Sequence, residues 1–345
     1  MYKQPMFASG STTGIGSLPH QSPAEAVETV LRGFDIPFWP QLPRRSILEG
    51  MVPQFSEGMP QIRIEPDGSV WASRDSEEEL ERFYETYTEA TTLAISEDFA
   101  MGFHEFIRRT RQRRFKFLKG QITGPLTFTL GIRLKDGNPI YFDEELREIS
   151  LMVLKAKARW QIQSLKPQAD NVVLFVDEPV LSVIGGSAYL AIDPSEVERL
   201  LRELINSINS AGAISGIHCC GRADWEMVLR SGVRVLSFDS YEHFSSILAS
   251  TGTFATNSEP LLKFLESGGY LAWGAVPTTE AINSEDINSL KRRLLEQIET
   301  LSKFIPERLL KSQLLLTPSC GMGSRTVEES HRIIQILWRI KEEIL

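Results

Sequence analysis

The residues best suited to chemistry in this sequence are a histidine and the three cysteines. His218, Cys219 and Cys220 are consecutive in GIHCCG, and Cys320 lies far downstream in PSCGMGSRT. Residues two apart on a β-strand share a face, so an extended segment turns His218 and Cys220 to one side and Cys219 to the other. Zinc prefers imidazole nitrogen and thiolate sulfur as ligands. A zinc site built from His218, Cys220 and Cys320 is therefore one interpretation of this pattern.

Two other interpretations are open from these residues alone. Unpaired cysteines often pack as small buried hydrophobes, and a cysteine near a histidine can act as a nucleophile. Adjacency in sequence does not deliver the geometry of a catalytic triad, however. The neighbours Cys219 and Cys220 also cannot form a comfortable disulfide in regular structure. The choice between a metal site and these alternatives depends on where the fold places the residues.

Short apolar segments alternate with amphipathic ones along almost the whole chain. The segments typical of buried parallel strands are 12–18, 36–42, 116–123, 171–177, 213–219, 233–239, 269–275 and 313–319. The clearest helical patterns are 79–111, 142–166, 194–210, 283–303 and 326–342. Eight strand–helix units predict an α/β protein with a (β/α)8 TIM barrel, and an open doubly wound sheet is the alternative. We expect one domain over 1–345, with a small β-hairpin insertion near 61–73 around Pro-Asp-Gly-Ser.

The chemically active side chains follow the predicted strands, at the end where barrel enzymes carry their sites. Residues at or just after a strand's carboxyl end are Ser17, Asp177, His218, Cys220, Asp239 and Cys320. This placement favours zinc over the alternatives. Asp239 is our first choice for the carboxylate that completes the ligand set, Glu242 is a rival, and His243 is a third possibility.

Composition restricts the remaining function classes. The chain has 345 residues, 24% of them charged, and a formal net charge of −8. This charge argues against a nucleic-acid partner, and the basic run 108–116 is interpreted as a solvated helix end. No apolar run approaches the roughly 18–20 residues of a membrane span. Three cysteines are too few for a disulfide framework, so we expect a cytoplasmic protein.

A set of motifs resembles the catalytic barrel of cobalamin-independent methionine synthase. The motifs TTGIGSLP, KGQITGPLT, VDEPVL, HCC and PSCGMGSRT occur in that family's order and spacing, from about residue 10 to 335. The superfamily also includes zinc-dependent methylcobalamin:thiol methyltransferases and uroporphyrinogen decarboxylase, all (β/α)8 barrels. The resemblance implies a methyltransferase in which zinc activates an acceptor thiol, in the first place homocysteine, to give methionine.

The resemblance also implies roles for individual residues. His218, Cys220 and Cys320 match the family's zinc ligands, and Asp239 aligns with its fourth ligand, which is a Glu. Asp177 matches the carboxylate that binds the amino group of homocysteine. Ser17 and the backbone at Ile15 and Gly16 match the contacts to the carboxylate of homocysteine. No general acid or base is assigned, because the zinc-activated thiolate is itself the nucleophile.

Three departures from the family pattern affect these implications. The full-length enzymes carry an additional N-terminal barrel, whereas this sequence contains the catalytic one. The acidic motif after strand two reads RRSILEGMV here, which places Arg45 at the position of the family's amino-group-binding Glu. Glu49 nearby could compensate, or it could be an ordinary surface acid. His20, in GSLPH, either contacts substrate or is a hydrogen-bonded loop residue.

The third departure concerns the methyl donor. The folate-using enzymes have a His after strand seven, and here AWGAVPTT places Val276 at that position. The folate nitrogen is a poor leaving group that a general acid must protonate, whereas reduced cobalamin departs without a proton. We therefore expect methylcobalamin or a corrinoid protein as donor rather than methyl-tetrahydrofolate. The alternatives are transfer to another thiol such as coenzyme M, a metal-free uroporphyrinogen-decarboxylase-like lyase, and a non-enzymatic zinc- or corrinoid-binding protein.

Overall fold

The computed structural model describes residues 6–184, 186, 189–249 and 259–344. The fold is α/β, and its centre is a curled parallel sheet of seven strands in the order β1-β10-β9-β8-β7-β6-β4. A small second sheet has the order β2-β3-β5. The strands are β1 (Ser11–Thr12), β2 (Ile62–Ile64), β3 (Val70–Ala72), β4 (Phe115–Thr123), β5 (Arg133–Leu134), β6 (Ala169–Asp177), β7 (Ile214–Cys219), β8 (Val235–Phe238), β9 (Tyr270–Val276) and β10 (Leu314–Pro318).

Helices follow or precede most strands of the main sheet. They are α1 (Pro23–Gly33), α2 (Met51–Ser56), α3 (Glu77–Thr86), α4 (Glu97–Thr110), α5 (Pro125–Gly131), α6 (Glu144–Leu165), α7 (Pro194–Ser210), α8 (Trp225–Arg230), α9 (Ser240–Ala249), α10 (Glu259–Glu266), α11 (Ile287–Ser302), α12 (Glu307–Ser312) and α13 (Val327–Ile344). Within the described ranges, no helix combines the length and the apolar composition needed to cross a membrane.

The predicted second strand, 36–42, forms isolated bridges rather than a regular strand. Phe38 pairs in parallel with Lys119 of β4, and Gln41 pairs in parallel with Ser17 beyond β1. Two prolines in IPFWPQL have no N–H to donate, which interrupts a regular ladder. The segment nevertheless lies between β1 and β4, the two edge strands of the sheet.

The helix predicted over 79–111 is two helices, α3 and α4. The chain leaves the helical conformation at Tyr87, and the Thr88 backbone N–H donates to the Thr91 hydroxyl at 2.8 Å. Side-chain bonds of this kind compete with the helical ladder, and β-branched threonines weaken it further. The helical spacing of apolar residues continues on both sides of the interruption, so the sequence pattern alone predicts one helix.

The insertion near 61–73 is the hairpin that the sequence predicts. β2 and β3 pair antiparallel, with Ile62 opposite Ala72. Gly68 has a φ of 85°, a conformation that most other residues avoid, in the turn between them. β5 then pairs with β3 in parallel, so the insertion forms its own small sheet.

Two hydrophobic clusters cover the two faces of the main sheet. The larger one packs between the sheet and the helices and includes Leu174, Leu236 and Leu316. The smaller one consists of Phe7, Ile36, Phe117, Val173, Phe175, Val235, Tyr270, Ala272 and Leu315. Strand residues of the two clusters alternate along the chain, so the smaller cluster lies on the concave face. This apolar packing leaves only the carboxyl end of the concave face for polar side chains.

Candidate metal centre

The concave face changes from apolar to polar along each strand. On β6 the alternation runs from Phe175 to Asp177, and on β8 it runs from Val235 to Ser237. On β4 it runs from Phe117 through Lys119 to Gln121, all buried. The polar residues therefore collect at the carboxyl ends of the strands, where parallel strands of α/β proteins carry their binding sites.

His218, Cys220 and Cys320 meet at this polar end. Their potential ligand atoms, one imidazole nitrogen and two sulfurs, all lie within 4.8 Å of one another. His218 and Cys220 come from the end of β7, and Cys320 follows β10, so the trio joins strands that are not neighbours in the sheet. One imidazole and two thiols at this separation are a donor set that fits zinc.

The imidazole of His218 is held by a residue of the neighbouring strand. Its Nδ1 lies 2.9 Å from the hydroxyl of Ser237, which is its partner in the β7–β8 register. Its Nε2 is buried and has no hydrogen-bond partner in the described part of the chain. Metal-bound histidines are commonly held in this way through the second ring nitrogen. The free Nε2 is therefore the atom available to a metal ion.

The two thiols of the cluster differ in acidity. The hydrogen bond between Cys220 and Cys320 lowers the pKa of Cys220 and raises that of Cys320, and His218 lowers the pKa of Cys220 further. The lowered pKa of Cys220 favours its thiolate, which is the form that binds metals. Cys219, in contrast, is fully buried in the larger hydrophobic cluster, and burial raises its pKa to about 12.

Asp177 lies beside the trio. It is the partner of His218 in the β6–β7 register, and its charge interacts with His218 and Cys220. Its Oδ1 is buried without a hydrogen-bond partner among the described residues, and burial raises the pKa of its carboxyl group. The fully buried Lys119 opposes this effect through its charge. Asp177 thus holds an unused acceptor atom next to the candidate metal ligands.

The Ser17 loop is packed against the loop that carries Cys320. The Ser17 hydroxyl accepts a hydrogen bond from the Gly323 N–H at 3.2 Å, and the Ser17 backbone carbonyl accepts one from the Met322 N–H at 2.9 Å. A Cβ at Gly321 would lie 2.2 Å from the Ser17 Oγ. A side chain at that position would displace the Ser17 hydroxyl, so glycine there allows the two loops to approach closely with the hydroxyl in place.

Ile15 and Gly16 are held by side chains of β4. The ammonium of Lys119 donates a hydrogen bond to the Ile15 carbonyl. A Cβ at Gly16 would lie 2.9 Å from Cγ and Cδ of Gln121. The three predicted substrate-binding positions 15–17 therefore rest between β4 and the Cys320 loop.

Asp239 belongs to a different cluster, with Glu242 and His243, whose ligand atoms also lie within 4.8 Å of one another. Its Oδ1 accepts the Glu242 N–H at 2.9 Å, so Asp239 caps the start of α9. Burial raises its pKa to about 6. The structure thus places Asp239 at the end of β8, beside its two predicted rivals and outside the group of His218, Cys220 and Cys320.

Arg45 and Glu49 form a salt bridge of 2.7 Å. Glu49 is fully buried and also accepts the Leu42 N–H at 3.0 Å. Glu49 is therefore not the surface acid that the sequence allowed, and both of its oxygens are engaged in holding its own loop. His20 is buried as well, with its Nε2 3.3 Å from the Thr29 hydroxyl. These contacts favour a structural role for Glu49, whereas the buried Nδ1 of His20 has no hydrogen-bond partner in the described chain.

Several inward-facing polar residues were missed from the sequence, among them Lys119, Gln121 and Ser237. Lys119 and Gln121 lie within the predicted strand 116–123, and Ser237 lies within 233–239. The signal that could have found them is a polar residue an even number of positions from another polar residue of the same strand, since the two then share a face. Ser237 is related to Asp239 in this way, and Lys119 to Gln121. Polar residues inside an otherwise apolar strand have to meet a partner or a ligand when buried.

The comparisons with known proteins agree with this arrangement at the level of the fold. No family model matches the sequence, and no curated protein matches it significantly. A B12-independent methionine synthase from Shewanella sp. W3-18-1, solved with selenomethionine, superposes with a TM-score of 0.60 at 13% identity, over 98% of each chain. A methyltransferase from Methanosarcina mazei superposes with a TM-score of 0.58 at 16% identity, over 100% of this chain and 95% of the other.

The chain therefore shares its fold with these two proteins. Both superpositions span nearly the whole chain, as the motifs do. The resemblance to methionine synthase drawn from those motifs is confirmed in this respect, since the similar structures include a methionine synthase.

Ser237→Ala tests the orientation of His218. Without the hydroxyl, the His218 Nδ1 loses its partner and the ring can turn. Loss of such an outer contact weakens metal binding by roughly 10- to 100-fold. Competition with a chromophoric chelator measures zinc affinity in both proteins. Ser215→Ala is the matched control, because it deletes a buried hydroxyl on β7 that has no hydrogen-bond partner within the described ranges. Equal zinc affinities in the wild type and both variants would contradict the assignment.

Glu49→Gln tests the buried Arg45–Glu49 pair through pH. Burial raises the folded-state pKa of Glu49 from its ordinary 4.5 to about 7. The stability contribution of the protonated form is therefore complete below about pH 4.5 and is lost as the pH rises through about 7. Relative to the variant, the wild type should lose up to about 3 kcal/mol of unfolding free energy between pH 5 and 8.

Chemical denaturation at a series of pH values measures this slope. The slope, rather than the absolute stability, is the observable, because the amide also changes the contact with Arg45. Glu77→Gln is the control, since Glu77 is exposed on α3. A wild-type slope identical to that of Glu49→Gln would rule out the proposed titration.

Proposed function

We propose that the protein is a zinc-dependent methyltransferase that transfers a methyl group to a thiol, with homocysteine as acceptor and methionine as product. The observation that carries the proposal is the cluster of His218 Nε2 with the sulfurs of Cys220 and Cys320 at the carboxyl ends of the strands. Zinc bound there would lower the pKa of the acceptor thiol, so that its sulfur attacks near neutral pH. The S–CH3 bond then forms as the donor's bond to the methyl group breaks.

The polar residues around the cluster suit an amino-acid acceptor. Asp177 offers a buried carboxylate oxygen with no partner in the described chain, which an ammonium group would satisfy. The Ser17 hydroxyl already accepts the Gly323 N–H, so its own hydrogen is free to be donated to a carboxylate. These two groups, with the backbone at Ile15 and Gly16, would hold the acceptor at both ends of its head group.

Asp239 remains our proposed fourth ligand, with Glu242 and His243 as the alternatives. Asp239 is the buried member of their cluster, and it follows β8, which neighbours β7 in the sheet. A catalytic zinc site must keep or open one position for substrate. If Asp239 were the ligand that yields this position to substrate, its hydrogen bond to the Glu242 N–H would still hold the carboxylate in place.

A methylcorrinoid, free or carried by a partner protein, is the proposed donor. Val276, at the end of β9, is fully buried and its side chain has no proton to give. Protonation of a departing folate nitrogen would need an acid at this place, whereas a corrinoid leaving group needs none. Methyl transfer to another thiol such as coenzyme M is the second candidate, in which the Asp177 oxygen would have no ammonium to bind.

A complete (β/α)8 barrel is part of the same proposal. The segment 36–42 would be its eighth strand. The Ile36 N–H donates to the Thr12 carbonyl at 3.0 Å, and the Trp39 N–H donates to the Lys119 carbonyl at 3.3 Å. Hydrogen bonds from one segment to both sheet edges are what closure of a barrel requires. The single domain over 1–345 is proposed on the same basis.

Cysteine variants test the metal site. Cys220→Ser and Cys320→Ser each remove a sulfur ligand and should lose most of the bound zinc, measured by elemental analysis after dialysis against a weak chelator. Cys219→Ser is the matched control, because Cys219 is buried in the hydrophobic cluster and should leave the zinc content unchanged. Asp239→Ala and Glu242→Ala compare the two carboxylates. Full zinc in both Cys220→Ser and Cys320→Ser would refute the site.

The activity is tested by giving the zinc-loaded protein homocysteine with methylcobalamin and, separately, with methyl-tetrahydrofolate. Methionine should form at a higher rate with methylcobalamin. A higher rate with the folate would contradict the inference from Val276 but not the methyltransferase. Turnover of coenzyme M in preference to homocysteine would favour the second acceptor. A protein that is inactive on both thiols, and that decarboxylates a porphyrinogen without zinc, would be the metal-free lyase.

A further inference from the structure

Gln121 presents an unused acceptor atom inside the sheet. Its side chain is 1% exposed, and its Nε2 donates to the Trp39 carbonyl at 3.0 Å. Because a carbonyl can only accept, this bond places the nitrogen of the Gln121 side-chain amide next to Trp39. The other end, Oε1, is buried and has no hydrogen-bond partner among the residues that the structure describes. A buried acceptor without a donor costs about 1–3 kcal/mol, so a donor from outside the described chain would stabilise this oxygen.

Gln121 lies near both parts of the proposed head-group site, the loop for the carboxylate and the residue for the ammonium group. On one side its Cγ and Cδ pack against Gly16, in the loop proposed to bind the acceptor's carboxylate. On the other side it pairs with Phe175 of β6, two residues before Asp177 on the same face. Gln121 therefore lies between the Gly16 loop and the Asp177 carboxylate.

The two unused acceptors define the kind of donor that fits them. Asp177 Oδ1 and Gln121 Oε1 are both buried and unpartnered within the described chain, and one of them belongs to an acidic group. Lys119, the cation whose charge acts on Asp177, donates its hydrogen bond to the Ile15 carbonyl. A ligand group with a positive charge and several N–H donors suits both a carboxylate oxygen and an amide oxygen. A primary ammonium group has these properties.

We propose that Gln121 is a specificity-determining residue, whose side-chain oxygen accepts a hydrogen bond from the ammonium group of an α-amino-acid thiol, together with Asp177. This inference rests on the proposed function. The Gln121 oxygen supplies a second hydrogen-bond acceptor for the ammonium group. Position 45 cannot supply one, because Arg45 there is a cation paired with Glu49. Gln121 thereby favours thiol substrates that carry an amino group over thiol substrates that lack one.

The test compares two ligands that differ only in the amino group. Homocysteine and 4-sulfanylbutanoate share the thiol, the chain length and the carboxylate. Calorimetric titration of the zinc-loaded protein gives a dissociation constant for each ligand. In the wild type, homocysteine should bind at least about tenfold more tightly. In Gln121→Met, the affinity for homocysteine should fall by about tenfold or more, whereas that for 4-sulfanylbutanoate should change less than about threefold.

Gln161→Met is the matched control. Gln161 is a fully buried glutamine that contacts the same neighbours, since it accepts from the Trp39 Nε1 at 2.8 Å and donates to the Gln121 carbonyl at 3.0 Å. Both of its hydrogen bonds are made within the protein. Its replacement should lower stability and leave the ratio of the two dissociation constants unchanged.

The possible failures are distinguishable. Equal weakening of both ligands in Gln121→Met, or no weakening of either, overturns the role of Gln121 and leaves the thiol methyltransferase intact. Equal wild-type affinities for the two ligands do the same, because the amino group is then not recognised. A zinc-loaded wild type that binds neither thiol overturns the inference together with the proposed function.

Discussion

All seven strands of the main sheet run parallel, so their carboxyl ends lie along one edge. This shared direction brings together side chains that are far apart in sequence. His218 and Cys220 end one strand, Cys320 follows another, and Asp177 ends a third. Each side chain is positioned by the strand that carries it, and the register between strands then sets the distances between these side chains. The loops contribute the close approach, as where Gly321 leaves room for Ser17.

The division of the concave face into an apolar and a polar half gives this edge its chemistry. The smaller hydrophobic cluster fills the face near the amino ends of the strands. Polar groups above it are removed from water, and burial accordingly raises the pKa of Asp177 and lowers that of Lys119. In the described part of the chain, several of their atoms are left without partners, including His218 Nε2 and Gln121 Oε1. Unsatisfied groups concentrated in one place are typical of a binding site rather than of a structural core.

Two residues at which the sequence differs from the motifs of methionine synthase have defined surroundings in the structure. The guanidinium of Arg45 is paired with the buried Glu49 within the same loop. Val276 ends β9 as a fully buried apolar side chain of the larger hydrophobic cluster. Both side chains are therefore engaged by contacts within the protein.

The sequence by itself determined most strand positions and the face on which each strand residue lies. Alternation along a strand is a local property, which is why the sequence alone assigns His218 and Cys220 to one side and Cys219 to the core. The hairpin and the Asp193–Pro194 start of α7 were predictable for the same reason, since turn and capping signals involve only adjacent residues.

Only the tertiary structure decided which of these residues meet. The pairing of His218 with Ser237 follows from the β7–β8 register, and the bond of Asp239 to the first turn of α9 follows from where that helix begins. The role of Gln121 depends on a loop that arrives from the other end of the chain. The interruption at Tyr87 and the irregular strand at 36–42 reflect side-chain and proline effects that hydrophobic periodicity does not contain. Contacts between distant segments depend on register and loop path, which a local pattern cannot specify.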